Sequence, residues 1–277
     1  MNNYRKGCTA YMPQVQTSYG YVPHLSAGIV FVVLFSLTMS GHIVQAGRKR
    51  VWTSYCCTIG ALVELMGWAG RTWSSQCPYN DSAFLMQITT LIIAPTFFSA
   101  AAYVILGSLI KMVGRSSSIL SPTMYLAIFC SCDGVSLIVQ AVGGALASIA
   151  QHKGTSTATG THIMVAGILF QMASMTVFVF FLCDFLRRVN IKSLPKGAKI
   201  VLPAMVFSVV TIYIRSIYRT IELLQGWRGF LITHEKYFIA LDAAMMVLAS
   251  GVYNILDPAF LLPSLKDKGA GGSRDGD

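Results

Sequence analysis

Seven apolar blocks follow one another along this chain, separated only by short polar breaks. They cover residues 25–46, 52–71, 83–112, 123–150, 161–185, 200–224 and 237–256. A helix needs about 20 predominantly apolar residues to cross the hydrocarbon core of a bilayer, and each block meets that length. Helices are required because an unpaired backbone N–H or C=O is too costly in lipid. The breaks read GRKR, TWSSQCPYND, VGRSSSILSP, QHKGTSTATG, RRVNIKSLPKGAK and QGWRGFLITHE, with the glycine, proline, serine and charge expected of turns. The pattern predicts an all-α membrane protein, a seven-transmembrane helix bundle over residues 25–257. An amino-terminal segment, 1–24, precedes it and a short, partly disordered tail, 258–277, follows.

Composition excludes the soluble alternative. Charged residues make up 12% of the 277 and hydrophobic ones 54%, whereas a soluble domain carries about 25% charged residues. A surface that faces lipid needs no such covering. The net charge of +10 would raise nucleic acid as a partner in a soluble chain. Here the cations sit between apolar blocks, as topology signals do, so no nucleic-acid partner is expected. The first 24 residues lack a compact apolar core, so the first block is read as a retained insertion signal rather than a cleaved peptide.

The cations also orient the bundle. With the amino terminus outside, thirteen of the 21 lysines and arginines fall on cytoplasmic pieces, chiefly GRKR, RRVNIKSLPKGAK and the tail. The bias favours amino terminus extracellular and carboxyl terminus cytoplasmic, in a multi-pass protein. Asn80-Asp81-Ser82 is then an outward-facing glycosylation sequon, and Cys8 and Cys77 both lie outside, where a disulfide between them is expected. Cys56, Cys57, Cys130, Cys132 and Cys183 fall within the blocks and read as packing residues.

Polar side chains inside the blocks carry the functional argument. In IRSIYRTIELLQGWRG and the turns before it, Ser208, Arg215 and Glu222 are spaced by seven, Thr211 lies four before Arg215 and Arg219 four after it. At helical spacing all fall on one side. Glu64 and Arg71 are seven apart in the second block and Asp133 and Gln140 seven apart in the fourth; Gln171 stands in the fifth and Asp242 in the seventh. Such residues turn away from lipid and default to a functional hypothesis. The reading is a polar intramembrane cavity that holds a lipid headgroup or another amphipath. Interhelical glue is the competing reading. Alanines and glycines of SAAAYVILG and QAVGGALAS are expected to pack helices closely, and Pro95 to kink the third helix.

Catalytic signatures are lacking. The histidines at 24, 42, 152, 162 and 234 form no HExxH, and no GxSxG or phosphate-binding loop is present. No metal, cofactor or ATP-driven step is expected. A scattered set such as His24, Asp133 and His234 keeps a lipid hydrolase open, and a seven-span sensor stays open beside a bundle that carries the amphipath through such a cavity.

From about Tyr19 to Leu262 the chain resembles the fungal lipid-translocating exporter family. The blocks that carry the likeness are YGYVP, ELMGWAGR (64 to 71), the stretch from Gln87 through Ala94-Pro95 to Gly107, Asp133-Gly134-Val135-Ser136 with Gln140 and Gly143-Gly144, Gly167 with Gln171, and Arg215-Ser216-Ile217-Tyr218-Arg219 with Glu222, Gly226, Gly229, His234-Glu235 and Asp242. One departure stands out: Asp257-Pro258 replaces the family's frequent His-Pro. The resemblance implies a fungal plasma-membrane protein. It implies ATP-independent translocation or export of lipid-like amphipaths, sphingoid long-chain bases foremost, with resistance to toxic amphipaths. Glu64, Asp133, Glu222 and Asp242 are then candidates to hold an amine, and Arg71, Arg215 and Arg219 to orient a phosphate or keep the acids ionised. Oligomeric state is not specified.

Overall fold

A computed structural model describes residues 7–262, apart from 16, 18, 154, 227 and 228. Six long helices come first: Leu25–Lys49 (α1), Trp52–Gln76 (α2), Asp81–Val113 (α3), Pro122–Lys153 (α4), Ala158–Arg188 (α5) and Lys196–Leu224 (α6). A single turn, Phe230–Thr233 (α7), leads into a composite last helix of Glu235–Phe238 (α8), a π-helical turn Ile239–Ala243 and Ala244–Ile255 (α9). Pro258–Leu261 (α10) ends the described chain. Among the described residues there is no strand. The expected tail therefore begins with an ordered turn, capped by the Asp257 carboxylate, which accepts from Ala259 N at 2.9 Å. Pro258 occupies the first helical position, where its missing N–H costs nothing. Residues 263–277, with Lys266, Lys268 and Arg274, lie outside the described residues, as do Arg5, Lys6 and Arg228.

Most of the helices outrun the apolar blocks by a turn or less, taking polar residues into their ends. Asn80 accepts from Ala83 N at 3.1 Å to start α3, relieving one of the four free N–H groups of a helix start. Arg50, in the left-handed conformation at φ 51°, closes α1.

Six helices are long and apolar enough to cross a membrane: α1, α3, α4, α5, α6 and the composite Glu235–Leu261. α2 is the exception. Its 25 residues make about 37 Å at the usual helical rise, but Glu64, Arg71 and several hydroxyls dilute its apolar content. It packs between α1 and α3 and keeps an apolar stripe, Ile59, Leu62 and Met66, exposed on the bundle surface. At Gly70 an added Cβ would stand 3.0 Å from Gln87 N and 3.1 Å from Ala83 O, so α2 and α3 approach backbone to backbone. The bundle is inverted relative to a water-soluble one. Leu37, Ile138 and Phe180 are 65%, 66% and 65% exposed, while three arginines and five carboxylates are buried. Lipid is the solvent in which that arrangement is stable.

One end of α3, α4 and α5 is pinned by aromatic rings. Tyr103 meets Phe178 edge-on at 4.6 Å and Phe129 at 5.4 Å. Toward the other end α4 keeps to α5, because Gly143 and Gly160 let the two backbones touch where a Cβ would overlap. α3 stays with α2 instead. The two pairs part, and the space between α3 and α4 becomes a chamber.

Candidate functional site

The charged side of α6 meets the π-helical turn of the last helix. Asp242, on that turn, stands between two arginines: Arg215 Nε is 2.5 Å from its Oδ1 and Arg219 Nη2 2.8 Å from its Oδ2. The first contact is an ion pair without hydrogen-bond alignment. Arg219 Nη1 pairs with Glu222 Oε2 at 2.9 Å, and Tyr218 donates to the other Glu222 oxygen at 3.1 Å. Arg215 Nη2 also donates to the carbonyl oxygen of Leu91 on α3. Heptad spacing on α6 delivers both arginines and Glu222 to one face, as the sequence pattern requires.

Arg71 belongs to a second group. Its Nη2 donates to Tyr21 Oη and to Glu235 Oε1, each at 2.7 Å. Glu235 in turn takes the His24 backbone N–H, at 3.2 Å to each oxygen, and contacts the His24 ring. Tyr19 Oη donates to Gln87 at 2.6 Å. Burial pushes the Tyr19 hydroxyl up to about 12, so it remains a donor. These bonds fasten the amino-terminal segment to the bundle, and a Cys8–Cys77 disulfide ties it further. The two groups share one ring: Phe238 lies 4.6 Å from the Arg71 guanidinium carbon and 5.0 Å from that of Arg219, within cation–π range.

Asp133, Gln140 and Gln171 form a third group, on α4 and α5. Tyr103 donates to Asp133 Oδ2 at 3.0 Å, Gln140 Nε2 to Gln171 Oε1 at 3.0 Å, and Gln171 Nε2 to Thr96 at 3.4 Å. Asp133 and Gln140 are 2% and 4% exposed, and the Gln140 Oε1 has no partner. With Arg215 and Arg219 they line a small polar pocket of about 30 Å³, room for about one or two waters.

That pocket adjoins the chamber, sharing Ile92 and Gln140 with it. The chamber measures about 970 Å³, the upper part of the usual range for ligand sites. Its walls are mostly apolar: Leu85, Ile88 and Ile92 from α3, Leu137, Ala141 and Gly144 from α4. Ala141, Ala145 and Ile149 on the wall are exposed, so it opens to the bundle surface. Thr17, Gly20, Tyr79 and Thr233 line the end beside the amino-terminal segment.

Eight of the nine candidate residues thus fall into three neighbouring groups rather than one, and Glu64 stands apart. Arg215 and Arg219 bridge the ion cluster and the polar pocket; Arg71 stands with the amino-terminal segment. Glu64 is 2% exposed and has one oxygen without a hydrogen-bond partner; Arg215, Asp242 and Arg219 are within its electrostatic reach. It lines neither cavity. Asn80 serves as the α3 cap, and its Nδ2, the atom a glycan would take, donates to Gly7 O at 3.5 Å. His24, Asp133 and His234 do not converge: among the described residues no three His, Cys, Asp or Glu side chains are grouped to hold a metal. Sequence patterns do not single out Tyr103 and Phe238, which both touch these groups. Glu235 alone leaves a trace, as a carboxylate at the head of the last apolar block.

Helices with lipid-facing apolar surfaces, buried charge and a chamber open to the side define a multi-pass membrane protein with an intramembrane cavity. The chain belongs to the RTA1-like family: the profile described as "RTA1 like protein" matches residues 57–265. It is 36% identical to the sphingoid long-chain base transporter RSB1 of Saccharomyces cerevisiae, over 87% of this chain and 73% of that protein. Protein RTA1 of the same yeast is 28% identical over 87% and 84% of the two chains. Protoporphyrin uptake protein 1 is 28% identical over 86% and 90%. No solved structure matches.

Proposed function

We propose that the protein moves lipid-like amphipaths across the plasma membrane, sphingoid long-chain bases foremost, without ATP. The observation that carries this reading is the junction of an apolar chamber with a polar pocket at its deep end. An amphipath entering from the bilayer between α3 and α4 would keep its chain in apolar surroundings and bring its headgroup to buried polar partners, the step that a bare bilayer makes costly. The name of the 36% identical relative, a sphingoid long-chain base transporter, supports the substrate class. In this reading α2 crosses the membrane too, packed between α1 and α3 with Ile59, Leu62 and Met66 turned to lipid, which makes seven spans with the amino terminus outside. The nine candidate residues then divide by role. Asp133, Gln140 and Gln171 meet the headgroup, while Arg71, Arg215, Arg219, Glu222 and Asp242 hold the helices around it, with Glu64 behind them.

Purified protein in liposomes tests this. Labelled sphingoid bases, phospholipids and porphyrins are offered on one side, and the expected outcome is faster crossing of the base than in empty vesicles. Binding without movement would instead mark a sensor. Crossing at the rate of empty vesicles for every lipid in the panel would defeat the transport reading.

A further inference from the structure

The geometry points to Asp133, assisted by Gln140, as a binding site for a single ammonium group at the deep end of the chamber. This rests on the reading of the chamber as a carrier site for amphipaths and adds the chemistry of its headgroup end.

Charge balance inside the bundle singles Asp133 out. Five carboxylates are buried with three arginines. Asp242 is held by Arg215 and Arg219, Glu222 by Arg219, and Glu235 by Arg71. Glu64 and Asp133 are left without an ion pair among the described residues, and of the two only Asp133 lines a cavity. The group that binds it, the Tyr103 hydroxyl, is neutral. A carboxylate at this depth gains most from a cation, and the three buried arginines among the described residues are already committed elsewhere.

A second acceptor stands on the path to it. Gln140 lies seven residues, two helical turns, beyond Asp133 on the same face of α4. It lines both cavities, and its Oε1 is buried without a partner. An ammonium has three donors and no acceptor; a carboxylate and an unpaired amide oxygen are the complementary set. The pocket volume of about 30 Å³ suits a group near the size of one water. The chain attached to the ammonium would run past Ile92 and Leu137 into the apolar chamber.

Arg215 and Arg219 also line the pocket. Their charges are balanced by Asp242 and Glu222, so they leave room for one positive charge and oppose a second. An anionic headgroup would face the Asp133 carboxylate and find both guanidiniums already paired. The site therefore selects long-chain monoamines over matched alcohols, amides and acids.

Binding to the full-length protein in nanodiscs tests the assignment, with octadecylamine, octadecanol and N-octadecylacetamide as probes. Wild-type protein is expected to prefer the amine by about 10-fold to 100-fold, the usual worth of a charge-assisted hydrogen bond. Asp133→Asn should bring amine binding down to the level of the alcohol and so abolish the preference. Gln140→Leu, which keeps Asp133, should reduce the preference several-fold and serves if the first variant does not fold. Asp133→Asn or Gln140→Leu protein that folds, binds the chain and keeps the full amine preference overturns the assignment alone. Wild-type protein that binds none of the three probes overturns the carrier reading and the assignment with it.

Discussion

Arg215 donates to the carbonyl oxygen of Leu91, four residues before Pro95. In an uninterrupted helix that oxygen would accept from the N–H of residue 95, which proline lacks. No water is at hand in hydrocarbon to satisfy it, so α6 supplies the donor across the helix interface. The same guanidinium pairs with Asp242. One side chain thereby ties α3, α6 and the last helix together at the floor of the polar pocket, and Pro95 itself lines that pocket.

The coupling between Arg215 and Pro95 is measurable. Arg215→Met leaves the Leu91 oxygen without its donor; Pro95→Ala restores the N–H that the oxygen needs. A double-mutant cycle on thermal or denaturant unfolding in detergent is expected to give an interaction energy of about 1–3 kcal/mol, the usual cost of an unsatisfied buried group. Strict additivity would mean that another donor already serves Leu91.

Asp242 and Glu222 should differ in kind. Asp242→Asn takes the counter-charge from Arg215 and weakens it at Arg219, and the loss is expected to approach the roughly 3–5 kcal/mol of a broken buried pair. Glu222→Gln leaves Arg219 its bond to Asp242 and should cost about 1–3 kcal/mol. Both variants, where folded, should weaken the amine selectivity assigned to Asp133, because each leaves a positive charge unbalanced beside its pocket. Melting curves of the two proteins in one detergent give the order, and equal losses would show that Asp242 is not the hub.

The helices are legible in the sequence because apolar blocks of bilayer length leave few alternatives: each of the first six blocks lies within one helix, and the last falls on the composite helix. Heptad spacing alone likewise puts Arg215, Arg219 and Glu222 on one face. Their partners are not legible. Arg71 and Glu235 stand 164 positions apart, and nothing local in a sequence records which distant carboxylate an arginine meets. Pro95 reads as a kink, but the fate of the Leu91 carbonyl depends on a helix more than a hundred residues away. Phe238 reads as one more apolar residue of the last block, although it lies against two guanidiniums. The chamber is the least legible feature, since it arises where α3 and α4 fail to touch, and patterns of contact-forming residues do not encode a gap.

The amino-terminal segment is held by independent fastenings, the Cys8–Cys77 disulfide and the Arg71–Glu235 pair with Tyr21 and His24. Mild reduction, or Cys8→Ser, is therefore expected to make residues before Tyr19 more susceptible to limited proteolysis while the helical bundle stays intact. Glu235→Gln should do so less, and the two changes together most. Mass spectrometry of the fragments reads the cut sites. An unchanged digestion pattern after reduction would show that the disulfide adds nothing to the docking of this segment.

Two adjacent glycines give the sharpest test of the chamber. An added Cβ at Gly143 would overlap the backbone of α5 at Met164 and Gly160, whereas one at Gly144 meets nothing within 4 Å. Gly144 also lines the chamber and Gly143 does not. Gly143→Ala should therefore force α4 and α5 apart and destabilise the protein by about 1–3 kcal/mol, the usual cost of overpacking. Gly144→Phe puts a ring into the chamber instead. It is expected to leave the melting temperature near that of the wild type and to reduce movement of a long-chain base in liposomes at least several-fold. Gly144→Ala, which occupies little of the space, should leave both unchanged. If Gly144→Phe is stable and transports at the wild-type rate, the substrate does not travel between α3 and α4.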